Sequence, residues 1–515
     1  MQSVAGAEIL KDESLREFSY VFISNSVKAM GDDFVPILPQ LVPILLDVVR
    51  EDEEGVNDED DEDYDPNDDD SNLVFVRSAH GFVNTKKAAV GALGDLAENC
   101  GEDYHTFLLS TFEVIAGESS GQAAVYSYHD AIRSEAMTTL PQLVSVVCEK
   151  YKLSRPTQGE QMALPEEVRV YVTRAVEIII SAIKTDGEKD VVAFACESMK
   201  MLLSRIGLTA LMLQDSENKV FADDLMALIF DLLNGRSTCQ IKVEMDETDN
   251  DENHDKELMD SVCDLIGAVA KAAGQFISPY FDTFYECLLK YCAPERSYTD
   301  RAMAIGCIGE VLRELGPSGS KFVARTMQVA MLGLQDSTEA MRRNSAYCVC
   351  TLFDLVGDEM VPQYSSVLQA LYPICSRELV NETGAIEAGG ADIDNAVGVI
   401  ARMINTGAAH LPLPDVLKMM LSALPLKSDF ADASIIYACL CNLVNIDNPV
   451  VTPLLAEFFT IFAQTLVQTE VDASTKDMII TTAKDFASRN AHTFFAVVQS
   501  VDPRIQGILQ EVLAT

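Results

Sequence analysis

Val311–Met327, VLRELGPSGSKFVARTM, and Leu352–Leu368, LFDLVGDEMVPQYSSVL, share one plan. In each, an amphipathic helix ends on a glycine, a short turn follows, and a second helix opens among aromatic or proline residues. Ala92–Leu109 (ALGDLAENCGEDYHTFLL) and Ala268–Phe284 (AVAKAAGQFISPYFDTF) repeat the plan. Their glycines, Gly101, Gly274, Gly316 and Gly357, stand where a helix C-cap needs a left-handed residue. Gly274 to Gly316 is 42 residues and Gly316 to Gly357 is 41, which is the length of a two-helix HEAT-type repeat. Apolar residues recur at three and four positions almost everywhere, as in Lys86–Asn99 (KKAAVGALGDLAEN), and strand alternation is nearly absent. The expected fold is all-α: an α-solenoid of about nine HEAT repeats forming a curved superhelix.

A chain of 515 residues is too long for one compact core, and repetition resolves its length into one continuous stack. Residues 1–31 read as the unpaired helix of a truncated repeat, with Ser14–Met30 as the second member of a pair whose first is missing. Residues 32–515 read as a continuous HEAT solenoid. Gly31 to Gly101 is 70 residues and Gly207 to Gly274 is 67, and the excess falls in acidic loop insertions at 51–72 and 235–256. The unpaired start suggests the carboxyl-terminal part of a longer solenoid, since a natural end carries a polar capping face.

Lys and Arg total 38 against 80 Asp and Glu, so the formal charge is 38 − 80 = −42. A polyanion without a basic patch binds neither nucleic acid nor an anionic membrane directly, and a basic partner is its natural complement. Glu51–Asp70 alone holds 14 acids and no Lys or Arg. That composition marks a disordered loop, either solubilising or competing for basic cargo, and it lacks the spacing of a calcium loop. The 13 cysteines are scattered through apolar helical runs, the usage of a reducing compartment. Met1 is followed by a polar, amphipathic stretch unlike a signal peptide, and no uncharged run reaches membrane-spanning length.

Catalysis finds no footing. The six histidines, His80, His105, His129, His254, His410 and His492, lie in different repeats without a zinc-protease spacing. No phosphate-cradling glycine loop or dinucleotide fingerprint appears, so the expectation is no enzyme, no cofactor and no metal.

Within Asp394–Leu443, DNAVGVIARMI and LPLPDVLKMMLSALPLKSDFADASIIYACL resemble importin-β (karyopherin-β) nuclear transport receptors, and among them the importin-4 branch. Val76–Gly101, VRSAHGFVNTKKAAVGALGDLAENCG, is similar to the family's segment after its acidic loop. The ending, Ala487–Thr515, resembles the family's carboxyl terminus. The likeness covers essentially the whole chain, as roughly the second half of a receptor. It implies a monomeric protein that shuttles between cytoplasm and nucleus. Basic cargo such as core histone tails and ribosomal proteins would be bound, with passage through the pore on Phe-Gly nucleoporins. Ran-GTP would act through the family's amino-terminal repeats, which are missing here. Phe281, Phe284 and Tyr285 are candidates for a nucleoporin groove, with core packing as the alternative. The rival reading is a HEAT scaffold subunit assembling a multiprotein complex, which would favour more uniform repeats and shorter loops.

Helices aligned on their terminal glycines present one face at 14, 10, 6 and 3 positions back. Acids recur there: Asp95 and Glu98 before Gly101, Asp260 and Asp264 before Gly274, Glu310 before Gly316, Asp354 before Gly357, and Glu197 before Gly207. Matching Asn395 to Asn344 adds Asp394 and Arg402. These carboxylates would receive ammonium and guanidinium groups of an extended basic segment on the concave side, and Asn344 and Asn395 would bond its main chain. Gly91 and Gly306 would let a peptide approach the backbone. The pairs Asp300/Arg301 and Asp336/Arg342 read as ladder contacts between repeats.

Overall fold

A computed structural model describes residues 13–51, 69–117, 123–215, 217–241, 249–377 and 390–514. Two compact units divide the chain at Cys287 and Leu288. The first contains α1 (Glu13–Met30), α2 (Leu38–Arg50), α3 (Asp69–Cys100), α4 (His105–Ala116), α5 (Asp130–Lys150), α6 (Glu166–Thr185) and α7 (Lys189–Ile206). The short α8 (Leu208–Met212), then α9 (Phe221–Leu233) and α10 (Asp249–Ala273), follow, and α11 (Ser278–Tyr291) runs across the boundary. The second unit continues with α12 (Tyr298–Leu315), α13 (Val323–Gly333), α14 (Glu339–Val356), α15 (Tyr364–Cys375) and α16 (Ala391–Gly407). It ends with α17 (Leu413–Ala423), α18 (Ala433–Asn445), α19 (Leu455–Leu466), α20 (Ala473–Arg489), α21 (Ala491–Ser500) and α22 (Pro503–Ala514).

Each unit has two layers. In the first unit α1, α3, α5, α7 and α10 pack side by side in that order; in the second, α12, α14, α16, α18 and α20 do the same. The helices between them in sequence form the other layer. Among the described residues the α2/α3 to α19/α20 pairs number nine, with α1 before them and α21 and α22 after. This is the HEAT-repeat solenoid expected from the glycine period. The α3 helix begins at Asp69 and α10 at Asp249, so both start inside spans read as loop. The rest of the first acidic insertion (52–68) and the centre of the second (242–248) lie outside the described residues.

The period has a physical basis. Gly207, Gly316 and Gly357 follow their helices with φ of 66°, 52° and 48° and ψ of −152°, −138° and −116°. That is positive φ as anticipated, but with ψ far from the left-handed helix, a region open essentially to glycine alone. Five corners, at Gly31, Gly101, Gly274, Gly316 and Gly357, continue as a short 3-10 turn that drives one large side chain into the core: Phe34, Tyr104, Ile277, Phe322 or Met360. The core is apolar along each layer. In α2, Leu38, Leu41, Val42, Leu45, Leu46, Val48 and Val49 are all buried, and each such side chain contributes about 1.5–3 kcal/mol of burial. At the end of the second unit Phe459 meets Phe462, Phe486 and Phe494 at 5.9, 5.5 and 5.0 Å between ring centres.

A second device, an arginine held by an aspartate of the following repeat, recurs at three junctions. The Arg133 guanidinium bonds the Asp186 carboxylate (2.8 and 3.0 Å) and the carbonyls of Ser127 and Tyr128, six and five residues back. Arg342 does the same with Asp392 (2.6 Å) and the carbonyls of Asp336 and Ser337. Arg301 takes Asp336 at 2.6 Å. Of the four residues read as ladder contacts, Arg301, Asp336 and Arg342 take part, each arginine reaching one repeat onward. The Asp300 carboxylate instead lies 4.0 Å from Arg296, four residues back. Phe281, Phe284 and Tyr285 are 0, 2 and 2% exposed, so they fill the core and form no surface groove.

Gly91 and Gly306 also differ from expectation. A Cβ on Gly91 would stand 2.5 Å from Glu135 Oε1, and one on Gly306 would stand 3.0 Å from Asn344 Nδ2. At both glycines the space a Cβ would take is filled by a side chain of the neighbouring helix of the same layer. All thirteen cysteines are buried free thiols. Among the described residues no helix is long and apolar enough to cross a membrane, and no cluster of His, Cys, Asp or Glu has the makings of a metal site.

Candidate functional site

The glycine-terminated layer carries the acids, and neighbouring helices decide which of them face outward. In the first unit Asp95 on α3 is 7% exposed. It accepts from Ser24 Oγ at 2.5 Å, lies 2.9 Å from Lys28 Nζ of α1, and is 3.4 Å from Gln142 Nε2 of α5. Gln142 also donates to Glu98 at 2.9 Å, so Asp95 and Glu98 are joined through one amide. Glu98 itself is exposed.

Further along the layer, Lys200 on α7 lies 3.0 Å from Glu197 and 2.5 Å from Asp264 of α10. Asp264 keeps 54% of its side chain exposed, and Asp260 one turn earlier is exposed. Glu149 of α5 meets Arg205 of α7 at 3.6 Å. The face is therefore acidic with internal counter-ions, each bridging two helices.

Glu135 belongs to this face and the glycine alignment missed it. Its carboxyl pKa is raised by burial, with Lys87 and Lys28 pulling it down and Asp95 pushing it up. The omission has a structural cause. No glycine closes α5, and Lys152 takes the positive φ (48°) after it, so counting back from glycines never reached this helix.

In the second unit Glu310 on α12 is exposed. Beside it the Tyr347 hydroxyl has its pKa pushed up to about 12, chiefly by burial. Asn344 donates to the Ala302 carbonyl at 2.7 Å and so ties α14 to α12. The exposed Asp354 carboxylate holds Arg402 Nε at 2.8 Å, and Arg402 also grips Asp432 at 2.7 and 3.0 Å. Arg402 is 8% exposed between them.

Asp394 and Asn395 face a loop of this chain and are both buried. Asp394 is 2% exposed, and its carboxylate accepts backbone N–H bonds from Lys427 (3.1 Å), Ser428 (2.7 Å) and Asp429 (2.9 Å). Burial pushes its pKa up against the pull of these donors. Asn395 donates to the Ala391 carbonyl at 2.9 Å and to Asp429 at 2.8 Å. The loop around residues 424–432 thus covers the stripe of α16 that the alignment assigned to cargo. Both residues hold that loop in place, and Asp95 and Asn344 likewise brace neighbouring helices. Glu98, Asp260, Asp264, Glu310 and Asp354 remain as exposed carboxylates, with Glu197 half-exposed.

A family model described as importin subunit beta-1-like TPR repeats matches residues 193–388. The chain is 23% identical over 541 residues to the probable importin subunit beta-4 of Schizosaccharomyces pombe, covering 96% of this chain and 47% of that protein. It is 23% identical over 518 residues to importin-4 of Mus musculus, covering 96% and 45%. The crystal structure of the karyopherin Kap121p bound to the SUMO protease Ulp1p superposes with a TM-score of 0.69 at 16% identity, over 98% of this chain and 45% of that one. The chain spans about half the length of the relatives it matches.

Proposed function

The chain is a relative of the importin-β (karyopherin-β) nuclear transport receptors, importin-4-like, and from that premise we propose that it is the cargo-binding part of a nuclear import receptor. Its work is binding, with no chemical step. The observation that carries the reading is the set of exposed carboxylates on the glycine-terminated layers: Glu98, Asp260 and Asp264 in the first unit, Glu310 and Asp354 in the second. Each unit's set offers charge-assisted acceptors to the ammonium and guanidinium groups of an extended basic segment. Core histone tails and ribosomal proteins are the cargo classes of matching chemistry. Movement between cytoplasm and nucleus, pore passage on Phe-Gly nucleoporins and release by Ran-GTP follow from the same kinship and belong to the whole receptor.

A titration of the chain with a Lys/Arg-rich histone-tail peptide tests this. Binding is expected at low salt and to fall steeply as salt rises, because exposed charges are screened within about 10 Å at 0.1 M. Reversing Asp260, Asp264 and Glu310 together is expected to weaken binding about tenfold, at about 0.5 kcal/mol per exposed pair. Reversing three exposed acids of the other layer, Asp224, Asp415 and Glu457, is expected to cost less than about twofold. Absence of binding at either salt would sink the receptor reading, and equal losses in the two triples would leave only a diffuse field.

A further inference from the structure

The connection from α5 to α6, residues 151–165, runs 15 residues where most corners of this fold need far fewer. It crosses the glycine corners of the next two helices in its layer. Pro156 packs directly against Gly207 at the end of α7, closely enough that a Cβ on Gly207 would overlap its ring. Met162 N–H donates to Thr209 Oγ1 at 2.7 Å, in the short α8 that follows. Beyond it Gly159, at φ +73°, donates its N–H to the Ala272 carbonyl of α10 at 2.8 Å. Gln158 lies over Gly274, 3.1 Å from where its Cβ would be, and the Phe276 ring lies 3.5 Å from the Cβ position of Gly159.

Repeats in such stacks ordinarily contact only their nearest neighbours. Here one segment leaves α5, rests on α7 and is hydrogen-bonded to α10. The bond to Ala272 also occupies a carbonyl at a helix end, where no partner within the helix exists. We propose that residues 152–165 form a strap that couples α5, α7 and α10, so that the three helix ends open together and this part of the first unit flexes as one block. The next-nearest link makes the proposal more than a statement about a covered surface: loosening the strap at one corner loosens the other.

Hydrogen exchange on the full chain tests the coupling. Thr209→Val keeps the shape of a buried residue and removes the acceptor of the Met162 N–H. Exchange is expected to rise about fivefold, the factor one net hydrogen bond supplies, in residues 208–213. A comparable rise is expected at Gly159 and residues 273–277, with 436–444 unchanged. A rise confined to 208–213, or no rise, overturns the proposal. A second variant replaces Pro156–Gln161 by Gly and Ser at equal length and leaves all helices intact. It is expected to raise exchange at both corners, and unchanged exchange at residues 273–277 would overturn the coupling independently.

Discussion

Asp392→Ala is expected to destabilise the second unit by about 3–5 kcal/mol, the cost of removing one partner from a buried ion pair. Asp392 has no exposed surface. Its carboxylate meets Arg342 Nε at 2.6 Å and takes Arg377 Nη1 and Nη2 at 2.9 and 2.7 Å. It also sits in the first turn of α16, where a negative charge faces the positive end of the helix. Alanine would leave Arg342, 13% exposed, with a charge whose counter-ion is gone and whose water cannot fully return. Asp392→Asn keeps an acceptor and is expected to cost less, about 2 kcal/mol. The exposed Asp47–Arg50 pair, at 3.4 Å with 80% and 51% of the side chains exposed, supplies the contrast. Asp47→Ala there is expected to cost under about 0.5 kcal/mol. Urea midpoints, read with amide protection of residues 391–404, measure all three. A loss below about 1 kcal/mol for Asp392→Ala would mean that water reaches both arginines and that the ladder does little to join the repeats.

The layered fold was legible because the same local solution recurs at constant spacing. A glycine that alone accepts the backbone of the corner, and a large side chain just after it, both leave marks in sequence. Where a helix ends without such a glycine the mark vanishes. Lys152 closes α5 and Asp447 closes α18, each at φ 48°, and the face residues counted from glycines stop short at those helices. Glu135 was lost in this way. The acids of the site were legible as charge but not as exposure. Asp354 and Asp394 look alike in sequence, yet one is open and the other is sealed by a loop that starts about thirty residues later. Burial of that kind depends on a pairing between distant segments, which local periodicity does not encode. The two stretches that carry the strongest family likeness, DNAVGVIARMI and ALPLKSDF, turn out to bind each other.

That pairing fixes the second large effect. Asp394→Ala is expected to cost about 3 kcal/mol, since hydrogen bonds to a charged acceptor contribute about 1.5–3 kcal/mol each and part of the loop regains water. The amides of Lys427, Ser428 and Asp429 lose their common acceptor, and their exchange is expected to accelerate more than that of any segment outside the second unit. Binding separates the structural role from a direct one. At a temperature where every variant is folded, Glu310→Gln is expected to weaken the histone-tail peptide and flatten its salt dependence, because Glu310 is exposed on the acidic face. Asp394→Asn is expected to leave both unchanged, because a carboxylate 2% exposed and covered by the loop whose three N–H groups it accepts is out of a ligand's reach. If Asp394→Asn weakened the peptide as much as Glu310→Gln while the loop amides stayed protected, the loop would have to lift from α16 on binding. Asp394 would then be a contact residue after all.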